Sequence, residues 1–330
     1  MKKRIDRNYR IDVLKTIAIL LIILAHVCEN NLIIQIRTFD VTLLVMISGY
    51  LAYNNRNIDL ILKYYIKRIK RLILPTWIFL TLFFIIIYIL KKEMLTKDLI
   101  LSSYLLIGGI GYVWIIRIYL FCMIIAPLLK KIVEKYNANY ILIISILIYI
   151  IYELISSFFI DSQNILIKYI VLYIIPYGFV YIIGMIIRKD DKNILNKMLI
   201  TLPIMFLTCF IILYKKANRI ELINAMKYPP RMYYISYGLV ISLILFKMLE
   251  KLKIKENKMI AFISSSSLWI YLWHIIVLFT INYVFKDINW IIKYIIILIL
   301  SVMITYIQNA ILNKLEKRKV NIELINIFRG

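Results

Sequence analysis

Charge is scarce in this chain. Only 18% of its 330 residues are Asp, Glu, Lys or Arg, against 63% hydrophobic. A soluble globular chain runs nearer a quarter charged and half apolar, and mean hydropathy here is +0.84. A soluble enzyme, a disordered tail and a fibrous repeat are thereby excluded. Glycine (8) and proline (6) are scarce, which removes collagen-like and low-complexity classes. Cysteine is scarcer still. Cys28, Cys122 and Cys209 lie far apart inside apolar runs, a spacing that suggests neither a disulfide framework nor a metal site. Alternating ten-residue strands are missing, so a transmembrane β-barrel is excluded. The first apolar run is too long for a cleavable leader and lacks a small-residue cleavage site, so it reads as an anchored helix.

What is there is a succession of ten apolar runs, near 13–30, 39–55, 73–90, 111–129, 139–159, 168–187, 198–214, 232–247, 260–285 and 291–312. A span needs roughly 20 apolar residues. The expected fold is all-α: a polytopic transmembrane helical bundle of about ten spans in a single domain over 1–330, without a soluble appendage. Residues 99–110 are apolar but short and end in glycines, which suits a re-entrant or interfacial stretch. Most of the 42 lysines and arginines fall in alternate loops. By the positive-inside rule both termini are expected in the cytoplasm, on a multi-pass protein of the cell membrane. The loop at 215–231 breaks that rule with Lys215, Lys216, Arg219, Lys227 and Arg231. It either faces an anionic substrate or is scatter in a lysine-rich chain. The net charge of +24 sits in short loops without aromatic interleaving, so anionic lipid, not nucleic acid, is the expected partner.

Ionisable groups within a span cost several kcal/mol and are functional candidates by default. The two histidines, His26 and His274, both lie inside apolar runs, as do Glu153 and Arg117. Counted from the cytoplasmic side at 1.5 Å per residue, all four sit at a depth of roughly 18–21 Å. Each also has a plain reading: a buried histidine bonding a neighbouring helix, and a Glu153–Arg117 structural ion pair. Glu29, three residues after His26, shares its helical face and is placed to orient the imidazole or to sit at the outer interface.

Lys15 and His26 are eleven residues apart, three turns plus about 20°, hence on one face and roughly 16 Å apart. A cation at the mouth and a titratable base at depth suit a long ligand with an anionic end and a reactive end, the shape of an acyl-CoA. A snorkelling lysine is the plain alternative. The run Lys63, Lys67, Arg68, Lys70, Arg71 suits nucleotide phosphates, and equally a topology signal.

Arg10-Ile11-Asp12-Val13-Leu14-Lys15, followed by ten residues and His26, resembles the first helix of the integral-membrane acyltransferase family 3. Further segments match in order: Ile47-Ser48-Gly49-Tyr50-Leu51, then Arg68-Ile69-Lys70-Arg71-Leu72-Ile73-Leu74-Pro75, Trp114 with Pro127, Tyr181-Ile182-Ile183-Gly184, and Ser267-Leu268-Trp269-Ile270-Tyr271-Leu272-Trp273-His274. The resemblance spans residues 10 to about 300. It implies transfer of an acyl group, usually acetyl from acetyl-CoA as co-substrate, to a hydroxyl of a cell-surface or lipid-linked sugar, with His26 as base and no metal. Where the family has an arginine in helix one this chain has Lys15, which keeps the charge but not the bidentate fork. On this reading Lys15, Asp12, Arg68 and Arg71 hold the donor. Arg117 or Ser48 stabilises the oxyanion, and His274 and Glu153 orient the reacting groups. Glu29, Ser48, Trp114 and Tyr271 contact the acceptor. A transporter or flippase for a lipid-linked sugar, or an inactive relative, are the alternatives.

Overall fold

The computed structural model describes residues 8–329, apart from 56, 57, 59, 161, 286, 287 and 319–321. Fourteen α-helices follow in order: α1 (Tyr9–Ala25), α2 (Asn31–Arg37), α3 (Asp40–Tyr53), α4 (Ile61–Lys91), α5 (Lys97–Tyr104), α6 (Trp114–Lys135), α7 (Ala138–Ser156), α8 (Leu172–Lys189), α9 (Asp191–Ala217), α10 (Met232–Lys251), α11 (Lys258–Ser265), α12 (Ser267–Val284), α13 (Trp290–Lys317) and α14 (Ile322–Arg329). A π-helical turn (Ile167–Val171) precedes α8, and a 3₁₀ turn (Ile223–Lys227) precedes α10. Among the described residues there is no strand. The chain is a polytopic helical bundle, with eight helical segments among the described residues long and apolar enough to cross a membrane. α1, at 17 residues, and α6, which carries Arg117 and Lys130 inside it, fall outside those eight. Each of the ten apolar runs is occupied by helix.

Burial sorts the helices into a centre and a shell. The apolar window of the α8 segment is 72% buried and that of the α2–α3 segment 67%. For α9 and α13 the figures are 11% and 22%, and their outer faces present Ile204, Leu207, Ile211, Ile295, Ile299 and Met303. Such rows of bare aliphatic side chains suit lipid. α3 and α8 pack most intimately, flanked by α1, α6 and α10. The contact depends on two glycines. A Cβ on Gly49 would lie 2.0 Å from the Tyr181 carbonyl oxygen, and one on Gly184 would lie 2.0 Å from the Met46 carbonyl oxygen. Helices in lipid gain little from apolar burial, so close backbone approach through small residues carries the association.

Three local departures from the expected spans shape the interior. The first run does not continue to residue 30. α1 stops at Ala25 with His26 as its C-cap, and Asn30 starts a new helix by accepting the Ile33 N–H at 3.1 Å. The run at 260–285 is two helices broken at Ser266, within four consecutive serines. Serine hydroxyls compete for backbone partners and weaken a helix interior. α1 clasps the break: Lys15 Nζ donates to the Ser264 carbonyl at 2.8 Å, and Asp12 Oδ1 accepts from Ser264 Oγ at 2.6 Å. The third is residues 99–110, which form the end of α5 and an irregular loop leading to α6. The loop's polar groups are satisfied by protein: Ile110 N–H by Ser103 Oγ at 3.0 Å, and the Leu106 carbonyl by Arg117 Nη1 at 2.8 Å. Gly109 has φ +65°, and a Cβ there would meet Ser103 Oγ at 2.0 Å.

Candidate functional site

Two cavities meet inside the bundle. The first, about 260 Å³, is lined on one side by the cations Lys15 (α1), Arg68 and Arg71 (α4), with Ser48, Tyr64, Ser265 and Ser267 completing its polar wall. The second, about 180 Å³, is lined by His26, Arg37, Asp40, Trp114, Asn224, Lys227 and Tyr228. Ile22, Ile115 and Tyr271 line both, so they form the partition between the two spaces.

His26 is held by rings. His274 stacks on it with centroids 5.2 Å apart and planes at 26°, and Tyr112 lies at 4.8 Å. Tyr112 belongs to the irregular loop, and Tyr271 Oη donates to its carbonyl oxygen. His274 Nδ1 faces the Tyr271 carbonyl oxygen. A carbonyl only accepts, so Nδ1 carries a proton. The His274 Nε2 is buried and has no hydrogen-bond partner among the described residues. The helix end at Ala25 exposes His26 on the cavity side, while His274 is fully buried on α12.

Opposite His26 lies a buried charge cluster. Arg37 Nη1 donates to Asp40 Oδ2 at 2.5 Å, and Lys227 Nζ lies 3.5 Å from Asp40 Oδ1. Asp40 Oδ1 also accepts the Val41 N–H at 2.7 Å. Lys227 Nζ sits 5.6 Å from the Trp114 ring centroid, 5.7 Å from that of Tyr228 and 6.0 Å from that of Tyr234. Burial lowers the pKa of Lys227, and the Asp40 carboxylate opposes that shift.

A family model described as an acyltransferase domain matches residues 8–308. The chain belongs to acyltransferase family 3. No curated protein and no solved structure matches it. In this acyltransferase the residues singled out from the sequence divide by position. Lys15, Arg68, Arg71 and Ser48 line the first cavity; His26 and Trp114 line the second; Tyr271 lines both. His274 backs His26 without lining either space.

Four candidates stand elsewhere. The expected Glu153–Arg117 pair does not form. Glu153 Oε1 accepts from Arg231 Nε at 2.6 Å and its Oε2 from the Met232 N–H at 3.0 Å, so it ties down the start of α10. A carboxylate suits the positive end of a helix. Arg117 is fixed by the Leu106 carbonyl and lies between the Tyr169 and Tyr173 rings, 5.1 Å from each centroid. It lines neither cavity and is bonded to the loop that carries Tyr112. Asp12 is buried against Ser264 as part of the α1–α11 clasp. Glu29 is exposed beyond the end of α1, so the shared helical face that linked it to His26 does not exist. Ser48 lines the cavity of Lys15 and not that of His26.

Arg37, Asp40 and Lys227 were not legible as site residues. Arg37 and Asp40 are three apart at the start of an apolar run, which is a weak signal. Lys227 belongs to the basic loop at 215–231, whose charge against the topology rule was the available hint.

Proposed function

We propose that this acyltransferase moves an acetyl group from cytoplasmic acetyl-CoA to a hydroxyl of a sugar at the cell surface or on a lipid carrier. The carrying observation is the junction of the two cavities beside His26. One cavity is cationic along Lys15, Arg68 and Arg71, and the other is bordered by the imidazole of His26. With the N-terminus in the cytoplasm, as the loop charges favour, the first cavity faces the donor and the second the acceptor.

In this reading the phosphates of the donor rest on Lys15, Arg68 and Arg71, and the thioester reaches the partition at Tyr271. His26 Nε2 or Nδ1, neutral, accepts the proton of the sugar hydroxyl. The oxygen forms a bond to the acetyl carbonyl carbon, and the carbon–sulfur bond breaks. The CoA thiolate leaves and takes the proton back from the imidazolium. His274 holds the His26 ring by stacking.

The test compares wild-type and His26→Ala protein in nanodiscs with labelled acetyl-CoA and a sugar acceptor. The expected result is CoA release that falls by at least about a hundredfold in the variant, the scale of a lost general base, while acetyl-CoA binding is retained. Equal turnover by a folded His26→Ala protein overturns the mechanism.

A further inference from the structure

The charges around the second cavity do not balance. Arg37 and Lys227 supply two positive groups, and among the described residues Asp40 is the one carboxylate that pairs with them. All three are at least 95% buried (Arg37 5%, Asp40 1% and Lys227 4% exposed). Asp40 already has partners on both oxygens: Arg37 on one, and Lys227 and the Val41 N–H on the other. Arg37 Nε is buried with no hydrogen-bond partner, although the side chain lines the cavity. Lys227 has one long contact to a carboxylate and otherwise faces aromatic rings. A buried cation with unmet donors is costly until an anion arrives.

We infer that the acceptor is an acidic sugar, whose carboxylate or phosphate docks on Arg37 and Lys227 while its hydroxyl meets His26. This rests on the acyl-transfer reading above and adds the substrate's chemical class to it. The geometry suits such a ligand. Guanidinium Nε–H is an in-plane donor that matches a carboxylate or phosphate oxygen. The Trp114 and Tyr228 rings, edge to face at 5.1 Å, give a wall against which the apolar face of a pyranose packs. A cavity of about 180 Å³ is of monosaccharide scale. The anion neutralises the surplus charge, so the neutral sugar is the poorer ligand. The basic loop that broke the topology rule then has a purpose: it delivers Lys227 to this wall.

Two measurements decide it. The first is transfer from labelled acetyl-CoA to methyl β-D-glucuronide, glucose 1-phosphate and neutral methyl β-D-glucoside, in wild type, Lys227→Gln and Lys227→Arg. At least one anionic sugar is expected to exceed the neutral one in kcat/KM by tenfold or more. That ratio should collapse in Lys227→Gln and largely return in Lys227→Arg. The carboxylate and phosphate arms tell which anion is preferred. A wild-type ratio near one, or a ratio unchanged by Lys227→Gln, overturns the inference. The second measurement needs no turnover. Acetate and inorganic phosphate are titrated into His26→Ala protein against constant chloride, reading tryptophan fluorescence, with Trp114→Phe assigning the signal. A saturable response lost in Lys227→Gln but kept in Arg71→Gln is expected. No saturable response refutes the anion site even if transfer occurs. A saturable response without transfer to any sugar leaves the anion site standing and removes the acyl-transfer reading instead.

Discussion

Replacing Gly184 by alanine tests the packing that positions both cavities. The added Cβ would sit 2.0 Å from the Met46 carbonyl oxygen, 2.8 Å from the Tyr50 nitrogen and 2.9 Å from the Met46 carbonyl carbon. All three are backbone atoms of α3, so no side chain can rotate out of the way. Reaching an ordinary contact near 3.5 Å requires α3 and α8 to part by about 1.5 Å. Overpacking of a close-packed interior costs about 1–3 kcal/mol, and a backbone clash belongs at the upper end. Alanine's better helix propensity returns about 1 kcal/mol. The net loss is about 2 kcal/mol, or a fall in Tm of about 4 °C at roughly 2 °C per kcal/mol for a chain of this size. α3 also carries Asp40, Leu44, Ile47 and Ser48 into the cavity walls, so acetyl-CoA binding should weaken alongside. The internal control lies on the same helix. A Cβ on Gly178 meets only the tip of Ile125, at 3.1 Å, so Gly178→Ala should leave Tm unchanged or raise it. Thermal unfolding in one detergent, wild type beside both variants, reads the difference. If Gly184→Ala is as stable as Gly178→Ala, the glycine crossing is not what holds α3 to α8.

Three further outcomes follow from the geometry. Lys15→Ala removes both a cavity cation and the donor to the Ser264 carbonyl. It should raise the Kd for acetyl-CoA and lower Tm, whereas Lys15→Arg should restore donor binding if charge is the operative feature. Glu153→Gln loses the ion pair to Arg231 at the half-buried start of α10 and should lower Tm by a few degrees without changing the pH profile of turnover. A changed profile would return Glu153 to the reacting centre. Tyr271→Phe keeps the ring but loses the hydroxyl that holds the Tyr112 carbonyl. It should lower kcat more than donor affinity, and an unchanged kcat would show that the loop position does not govern His26.

Much of the architecture could be read without coordinates because apolar runs of span length have few alternatives in a chain this poor in charge. What the runs do not encode is azimuth. Equal depth suggested that Arg117 and Glu153 meet, yet depth says nothing of which neighbour a helix turns toward, and each found a different partner. His26 and His274 had the same depth signal and did come together. The serine break between α11 and α12 was invisible because serines barely interrupt a hydropathy window. Its meaning appears only when Lys15 and Asp12 are seen closing it. The Arg37–Asp40–Lys227 cluster depends on a contact 187 residues apart in sequence, which no local pattern announces.

The backbone-to-backbone fit at Gly49 and Gly184 also limits how the enzyme can open. Sliding α3 along α8 by one turn, about 5.4 Å, would bring side-chain-bearing residues where only hydrogen atoms fit. The fit opposes sliding of α3 along α8. Between the two chambers stand three side chains, Ile22, Ile115 and Tyr271. Of these, Tyr271 is pinned by its hydroxyl to the Tyr112 loop. Loss of that one phenol would free the largest side chain of the partition to change rotamer.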